Sequence, residues 1–247
     1  MATILPGPRG PLPHGPAQGR AQDPARGPGA DAAATPERIA AYYAEVLGWP
    51  VVRGGHRGGV ALATGVAFDA LELPAQAGRT VVDRLDRLRG PGSDAPARPV
   101  SGPVAISADR ARMWLLLAPG SADEVPGLLD WLEWGGIDLD LDALGAGRSL
   151  PAPLPPRWPV RAAQGAAVWL RPPGPARCTP SGLPTLRLCG GTGAVETGTG
   201  GSGGDAPDLV RLLDAAAAEC HRVRLARGLA RGIAAGAGAN RQPLAFS

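Results

Sequence analysis

The chain contains no lysine, so all 25 of its basic residues are arginines. This absence excludes a Walker A phosphate loop, a lysine Schiff base and a lysine nucleophile. Histidine is also scarce, with three residues in 247, and acid–base catalysis by histidine is therefore poorly supplied. The sequence also lacks a GxSxG elbow, an HExxH motif and a CxxC pair, which leaves carboxylates as the main candidates for chemistry.

Cysteine is as rare as histidine. Cys178, Cys189 and Cys220 are odd in number and lack the spacing of metal ligands, which is typical of a reducing compartment. No apolar run approaches the length of a membrane span, and the N-terminus lacks the charged-then-apolar pattern of a signal peptide. We therefore expect a soluble, cytoplasmic protein with no membrane partner.

Glycine and proline, with 37 and 28 residues, together exceed a quarter of the chain, so we expect part of it not to pack. The excess of alanine, glycine, proline and arginine indicates a GC-rich genome, such as that of an actinobacterium. The net charge of +3 and the pI near 9.1 come from scattered arginines and are weak evidence for a polyanionic partner.

Composition divides the chain into five parts. Residues 1–34 have no hydrophobic period and are predicted to be a disordered tail. Residues 35–189 form the folded domain, residues 190–204 a Gly-rich linker, residues 205–233 an amphipathic helix, and residues 234–247 a frayed tail.

Within the domain, the apolar periods predict three helices, and short apolar runs bounded by turn residues predict several strands. Together they predict an α+β fold, a mixed or antiparallel sheet with flanking helices, followed by the long C-terminal helix. Trp131 and Trp134 are expected in the core, because they share helical spacing with leucines. The helices are predicted at Thr35–Leu47, Ala75–Leu88 and Ser121–Trp134, and the clearest strands at Gly102–Ser107, Arg112–Ala118 and Ala166–Arg171.

The stretch Gly58–Gly78 is the first candidate site. An apolar run ends in the turn Thr64–Gly65, and a second run carries Asp69 and Glu72 just before Pro74. The pattern predicts a tight pair of strands with acids at the exit of the second, then a helix. Such carboxylates can ligate Mg²⁺ or Mn²⁺, or they can be solvated residues at a strand edge.

The second candidate is Ile137–Leu144, where apolar and acidic residues alternate strictly. This predicts a half-buried strand with Asp138, Asp140 and Asp142 on one face. Like charges along one face repel one another unless water, arginine or a cation offsets them. Arg148 is a candidate arginine partner, and a divalent cation is the alternative.

The order of these motifs resembles a known family. ATGVAFDALELPAQAG (63–78), GPVAIS (102–107) with RMWLLLAPG (112–120), GGIDLDLDALGAGRSLPAPLPP (135–156) and AAVWLRPP (166–173) are similar to successive motifs of the bifunctional DNA primase/polymerase (Prim-Pol) branch of the archaeo-eukaryotic primase superfamily. The resemblance covers roughly residues 37–172 and implies a primase-polymerase-like α+β fold.

The resemblance also implies site residues. Asp69, Glu72 and Asp138 are the expected metal-binding and catalytic acids, and Mg²⁺ or Mn²⁺ is the expected cofactor of an active enzyme. The candidate nucleotide-binding residues are Thr64, Gly65 and Arg148. The implied partners are a nucleotide or single-stranded DNA, and the C-terminal helix is a candidate surface for a protein partner.

Three departures from the family pattern point to a degraded catalytic site. The Asp-x-Asp pair is broken, because Asp69 and Glu72 are three residues apart and alternation places them on opposite faces. The second motif's histidine has no counterpart near Met113 and Trp114. The third motif's arginine is replaced by Asp140, which weakens triphosphate binding.

Three functions therefore remain open. The first is a divergent Prim-Pol-like domain that binds nucleotide or nucleic acid with reduced or lost polymerase activity. The second is an active metal-dependent nucleotidyltransferase that uses Asp69, Glu72 and Asp138. The third is a non-catalytic protein-interaction or regulatory module.

Overall fold

The computed structural model of the chain describes residues 34–54, 59–87, 102–158, 167–174, 183–184 and 209–239, with side chains up to residue 231 in the last range. The predicted linker at 190–204 and all but the last residue of the predicted tail at 1–34 lie outside these ranges.

Four helices and eight strands form the described part of the chain. The helices are α1 (Pro36–Ala41), which continues as a π-helical turn (Tyr42–Val46), α2 (Ala75–Arg87), α3 (Ser121–Trp131) and α4 (Leu209–Ala239). The strands are β1 (Val51–Arg53), β2 (Val60–Ala63), β3 (Asp69–Pro74), β4 (Val104–Ile106), β5 (Arg112–Leu117), β6 (Asp142–Leu144), β7 (Ser149–Pro151) and β8 (Val168–Arg171).

The strands form two antiparallel sheets. The smaller has the order β1-β2-β7 and the larger the order β6-β3-β5-β4-β8. With helices flanking these sheets, the fold is α+β, which confirms the predicted class and the antiparallel alternative for the sheet.

The two faces of the larger sheet have different coverings. Residues of α2, α3 and α4 pack with Leu71 and Leu73 of β3 into one apolar cluster. The other face carries Ala70 and joins a second cluster that contains Tyr43 and Leu62, from the π-helical turn and the smaller sheet. Because side chains alternate along a strand, successive residues of β3 face the two clusters in turn.

The predicted pairing of β2 with β3 is wrong. β2 pairs with β1 and β7, whereas β3 pairs with β5 and β6 in the other sheet. Gly65 has φ +91°, and its N–H donates to the carbonyl of Phe68, so the intervening loop carries the chain from one sheet to the other. The acids also do not lie at the exit of β3, since Asp69 begins it and Glu72 is its fourth residue.

The predicted eight-residue strand at Ile137–Leu144 is also wrong, because only Asp142–Leu144 is a strand. Asp140 has φ +55°, a left-handed conformation that ordinary strands do not contain. The three aspartates therefore do not share one strand face, and each has a separate arginine environment.

The helices correspond more closely to the sequence pattern. α2 starts directly after Pro74, as expected, and α4 ends at Ala239 rather than at residue 233. α3 ends at Trp131, whose side chain is 70% exposed, so its predicted core position is wrong. Among the described residues, no helix has the length and hydropathy that a membrane span requires.

Candidate functional site

Asp69 is a buried residue on the helix-facing side of β3, with 1% of its surface exposed. Its Oδ2 accepts the backbone N–H of Ala122 at 2.9 Å, at the start of α3. Gly120 precedes that helix and has no side chain to cap it, so a carboxylate from a distant strand supplies an acceptor and the favoured negative charge. Asp69 thus has a structural role: its carboxylate anchors the start of α3 to β3 of the larger sheet.

The pKa of Asp69 is raised because burial disfavours its charged form, although N–H groups of Ala122, Gly120 and Gly65 partly offset this. Within geometric hydrogen-bond limits, Oδ1 has no partner in the described part of the chain. The carboxyl is enclosed beside the helix end rather than open to an approaching substrate.

Glu72 lies on the opposite face of β3 from Asp69, beside the second cluster. Its Oε1 accepts from Arg112 Nε at 2.8 Å, and its Oε2 accepts from Trp114 Nε1 at 3.0 Å. Both oxygens are therefore occupied by side chains of the neighbouring strand β5, which pairs with β3 in antiparallel register.

Arg112 links Glu72 to the acidic segment. Its Nη1 lies 2.8 Å from Asp140 Oδ1, while its Nε bonds Glu72. Burial opposes the charge of Arg112, but the hydrogen bonds and negative charges of Glu72 and Asp140 outweigh it and raise the pKa of Arg112. One guanidinium thus lies between Glu72, an expected metal ligand, and Asp140.

The other aspartates also pair with arginines. Asp138 Oδ2 lies 3.1 Å from Arg224 Nη1 on α4, and Asp142 Oδ2 lies 2.6 Å from Arg148 Nη2. Asp140 has a second, longer contact of 3.4 Å with Arg227 on α4. The expected role of arginine in offsetting these acids, including Arg148, is observed.

Thr64 and Gly65 join the two turns that bear the candidate motifs. Thr64 Oγ1 donates to the carbonyl of Gly145 at 2.5 Å, and its backbone N–H donates to the carbonyl of Arg148. A Cβ on Gly65 would lie 2.4 Å from the Cα of Ala146, which explains glycine at this position. Thr64 is buried and its hydroxyl is used internally.

A cavity of about 300 Å³ lies at this site. Leu129, Leu139 and Leu141 contribute apolar walls, and Arg112 and the three aspartates contribute polar ones. Its charged groups are already matched inside the protein, so it is neither a purely acidic nor a purely basic pocket.

The residues present do not fit a divalent metal site. Asp69 and Glu72 occupy opposite faces of β3, and Glu72, Asp138 and Asp140 each bond an arginine. Mg²⁺ and Mn²⁺ need convergent carboxylate oxygens that are free to ligate. In the described ranges, no group of three or more Asp, Glu, His or Cys residues is arranged for a metal ion.

Sequence reasoning missed three residues of this site. They are Arg112 at the start of β5 and Arg224 and Arg227 on α4. The three-residue spacing of Arg224 and Arg227 is one available signal, because it places both on one face of α4.

Comparison of the chain with protein-family models, with curated protein sequences and with solved structures gave no match.

Proposed function

We propose that this protein is a divergent Prim-Pol-like domain that binds a nucleotide or single-stranded nucleic acid and has lost nucleotidyl transfer. The motif order from ATGVAFDALELP to AAVWLRPP supports the family assignment, and the antiparallel α+β architecture is compatible with it. The observation that carries the loss of catalysis is the pairing of two expected metal-binding acids with arginines: Glu72 lies 2.8 Å from Arg112, and Asp138 lies 3.1 Å from Arg224.

Phosphoryl transfer depends on electrostatic stabilisation, with metal ions that neutralise the developing charge on the phosphates. Here two of the three expected metal-binding acids, Glu72 and Asp138, are paired with arginines, and the third, Asp69, is buried against the start of α3. A guanidinium can bind phosphate through paired N–H donors, but it does not activate an attacking group as a metal does. This difference supports binding without chemistry.

Thermal unfolding of the full chain tests the binding function. We expect a deoxynucleoside triphosphate or an oligo-dT strand to raise the melting temperature at low salt, because a ligand bound only by the folded state stabilises it by about 2.7 kcal/mol at one hundred times its Kd. We expect the shift to persist in EDTA. A shift that requires Mn²⁺ and disappears in Asp138→Ala would instead support the active nucleotidyltransferase.

One observation favours the protein-interaction module as a second candidate. Leu225 and Leu229 on α4 are 55% and 70% exposed, and exposed apolar residues that lie together on a helix are typical of contact surfaces. An unchanged melting temperature with every nucleotide, metal and oligonucleotide would favour this function over the first.

A further inference from the structure

A second cavity, of about 250 Å³, lies between α2 and the edge strand β8 of the larger sheet. Val104 of β4 and Met113 of β5, both buried, line its inner part. Val82 of α2 and Leu170 of β8 add two further apolar walls. This cavity shares no lining residue with the one at residues 137–142, so it is a separate candidate site.

A β-bulge shapes the mouth of this cavity. Val104 pairs with Arg171, and the next residue of β4, Ala105, pairs with Trp169. Leu170 is therefore an extra residue in β8. Successive residues of a regular strand face opposite sides of the sheet, but here Leu170 and Arg171 both line the cavity. Bulges are frequent beside functional sites, because they redirect side chains in this way. As a result, an aliphatic side chain that is 48% exposed lies beside charged groups.

Two of the three charged residues that line the cavity lack a partner. Arg171 bonds Asp86, so its charge is already balanced. Within the residues that the structure describes, the guanidinium of Arg79 and the carboxylate of Asp83 make no hydrogen bond or ion pair. They are one helical turn apart on α2, with the arginine nearer the N-terminus, which is the less favourable order for an ion pair at this spacing. One positive and one negative group thus remain available to a ligand.

We propose that this cavity binds a free α-amino acid with an aliphatic side chain. Arg79 donates to the α-carboxylate, and Asp83 accepts from the α-ammonium group. The aliphatic side chain packs against Val82, Met113 and Leu170. This inference goes beyond the proposed function and does not depend on it.

The two free charges select this class of ligand. A guanidinium binds a carboxylate through paired N–H donors, and a carboxylate accepts hydrogen bonds from an ammonium group. Helical residues four positions apart have Cβ atoms about 5–6 Å from each other, so one small molecule reaches both Arg79 and Asp83. A metal ion, a simple anion or one end of a peptide chain carries only one of the two complementary charges. A free α-amino acid carries both, next to its side chain.

The volume of the cavity also favours a small ligand. Sites for drug-sized molecules have volumes of about 300–1,000 Å³, and this cavity is slightly smaller, which suits a ligand of amino-acid size. Arg79 and Asp83 are exposed, so water weakens their contacts with a ligand. We therefore expect a Kd on the order of 1 mM for L-leucine.

The test compares three ligands that share one aliphatic skeleton. L-Leucine carries both charges, isocaproate lacks the ammonium group, and isoamylamine lacks the carboxylate. Binding to the 247-residue chain is measured by ligand-observed NMR titration at low salt. We expect isocaproate and isoamylamine each to bind about tenfold more weakly than L-leucine, because each leaves one charge of the cavity without a partner.

Single variants assign the two charges. Arg79→Gln should weaken the binding of L-leucine about tenfold and leave that of isoamylamine unchanged. Asp83→Asn should weaken the binding of L-leucine and leave that of isocaproate unchanged. Arg84→Gln is the matched control, because Arg84 is an exposed arginine of the same helix that does not line the cavity. All three side chains are exposed, so the melting temperature without ligand should not change.

An analogue that binds as tightly as L-leucine would overturn the inference, as would equal losses of L-leucine binding in Arg79→Gln and Arg84→Gln. The inference is also wrong if L-leucine shows no saturable binding at about twenty times the expected Kd. None of these outcomes bears on nucleotide or nucleic-acid binding, which the melting-temperature assay tests separately.

Discussion

Replacing Arg112 with methionine is the most informative change to the stability of this fold. Methionine keeps an unbranched apolar stem but removes the guanidinium. Glu72 then loses its partner at Oε1, and Asp140 loses its closer arginine. The negative charges of Glu72 and Asp140, at the end of the larger sheet, are then less well balanced by positive charge.

The magnitude depends on exposure. The side chains of Arg112 and Glu72 are 28% and 25% exposed, and that of Asp140 is 49% exposed. A hydrogen bond between charged groups contributes about 1.5–3 kcal/mol, and we take the lower end for Glu72 because water reaches the pair. The half-exposed contact with Asp140 adds about 0.5 kcal/mol. Arg112→Met should therefore lower the free energy of unfolding by about 2 kcal/mol.

The assay is urea unfolding followed by tryptophan fluorescence, in a double-mutant cycle with Glu72→Gln. We expect a coupling energy of about 1 kcal/mol. Arg148→Met is the matched control, because its pair with Asp142 is about half exposed on both sides, and its cost should stay within about 0.5 kcal/mol. Equal costs for the two arginine variants, or an additive cycle, would refute the bridge between Glu72 and Asp140.

Three further predictions concern the parts that position the site. The pKa of Asp69 is raised above its ordinary value of 3.8, so its contribution to stability is present at low pH and is lost as pH rises through the folded-state pKa. The stability of Asp69→Asn relative to the wild type should therefore increase as pH rises above 3.8, and a constant difference in unfolding free energy would contradict this. Gly65→Ala should lower the free energy of unfolding by more than about 2 kcal/mol in the same urea assay, because the new side chain has a positive φ and also clashes with Ala146. Gly48→Ala is the control: Gly48 also has a positive φ but lies in open space, so the loss should be about 1 kcal/mol. Cys220 is buried, and burial raises its pKa to about 12. In a variant whose other two cysteines are replaced by serine, we therefore expect a thiol reagent at pH 8 to label Cys220 only as the protein unfolds. Rapid labelling of the native protein would disprove the position of α4.

The sequence alone predicts those helices and strands whose pattern depends on residues close together in the chain. Pro74 before a run with helical spacing marks the start of α2, and short continuous apolar runs mark β4 and β5. These signals depend on neighbours a few residues apart. In the structure these two strands pair with each other in antiparallel register.

The site was less predictable because its contacts join distant segments. The alternation in IDLDLD indicated a strand, but Arg112 and Arg224 hold the acids 28 and 86 residues away in sequence. Likewise, the crossing of β2 and β3 into different sheets depends on the close packing of Gly65 against the turn at Ala146. No local pattern encodes such partners.

Titration of this 247-residue chain with Mn²⁺, followed by calorimetry at low salt, tests the central claim most directly. Because Glu72 and Asp138 are paired with arginines and Asp69 is buried on the other face of β3, we expect no binding with a Kd below about 1 mM. Micromolar Mn²⁺ binding that is lost in both Glu72→Gln and Asp138→Ala would contradict this account and would show that these carboxylates converge on a metal.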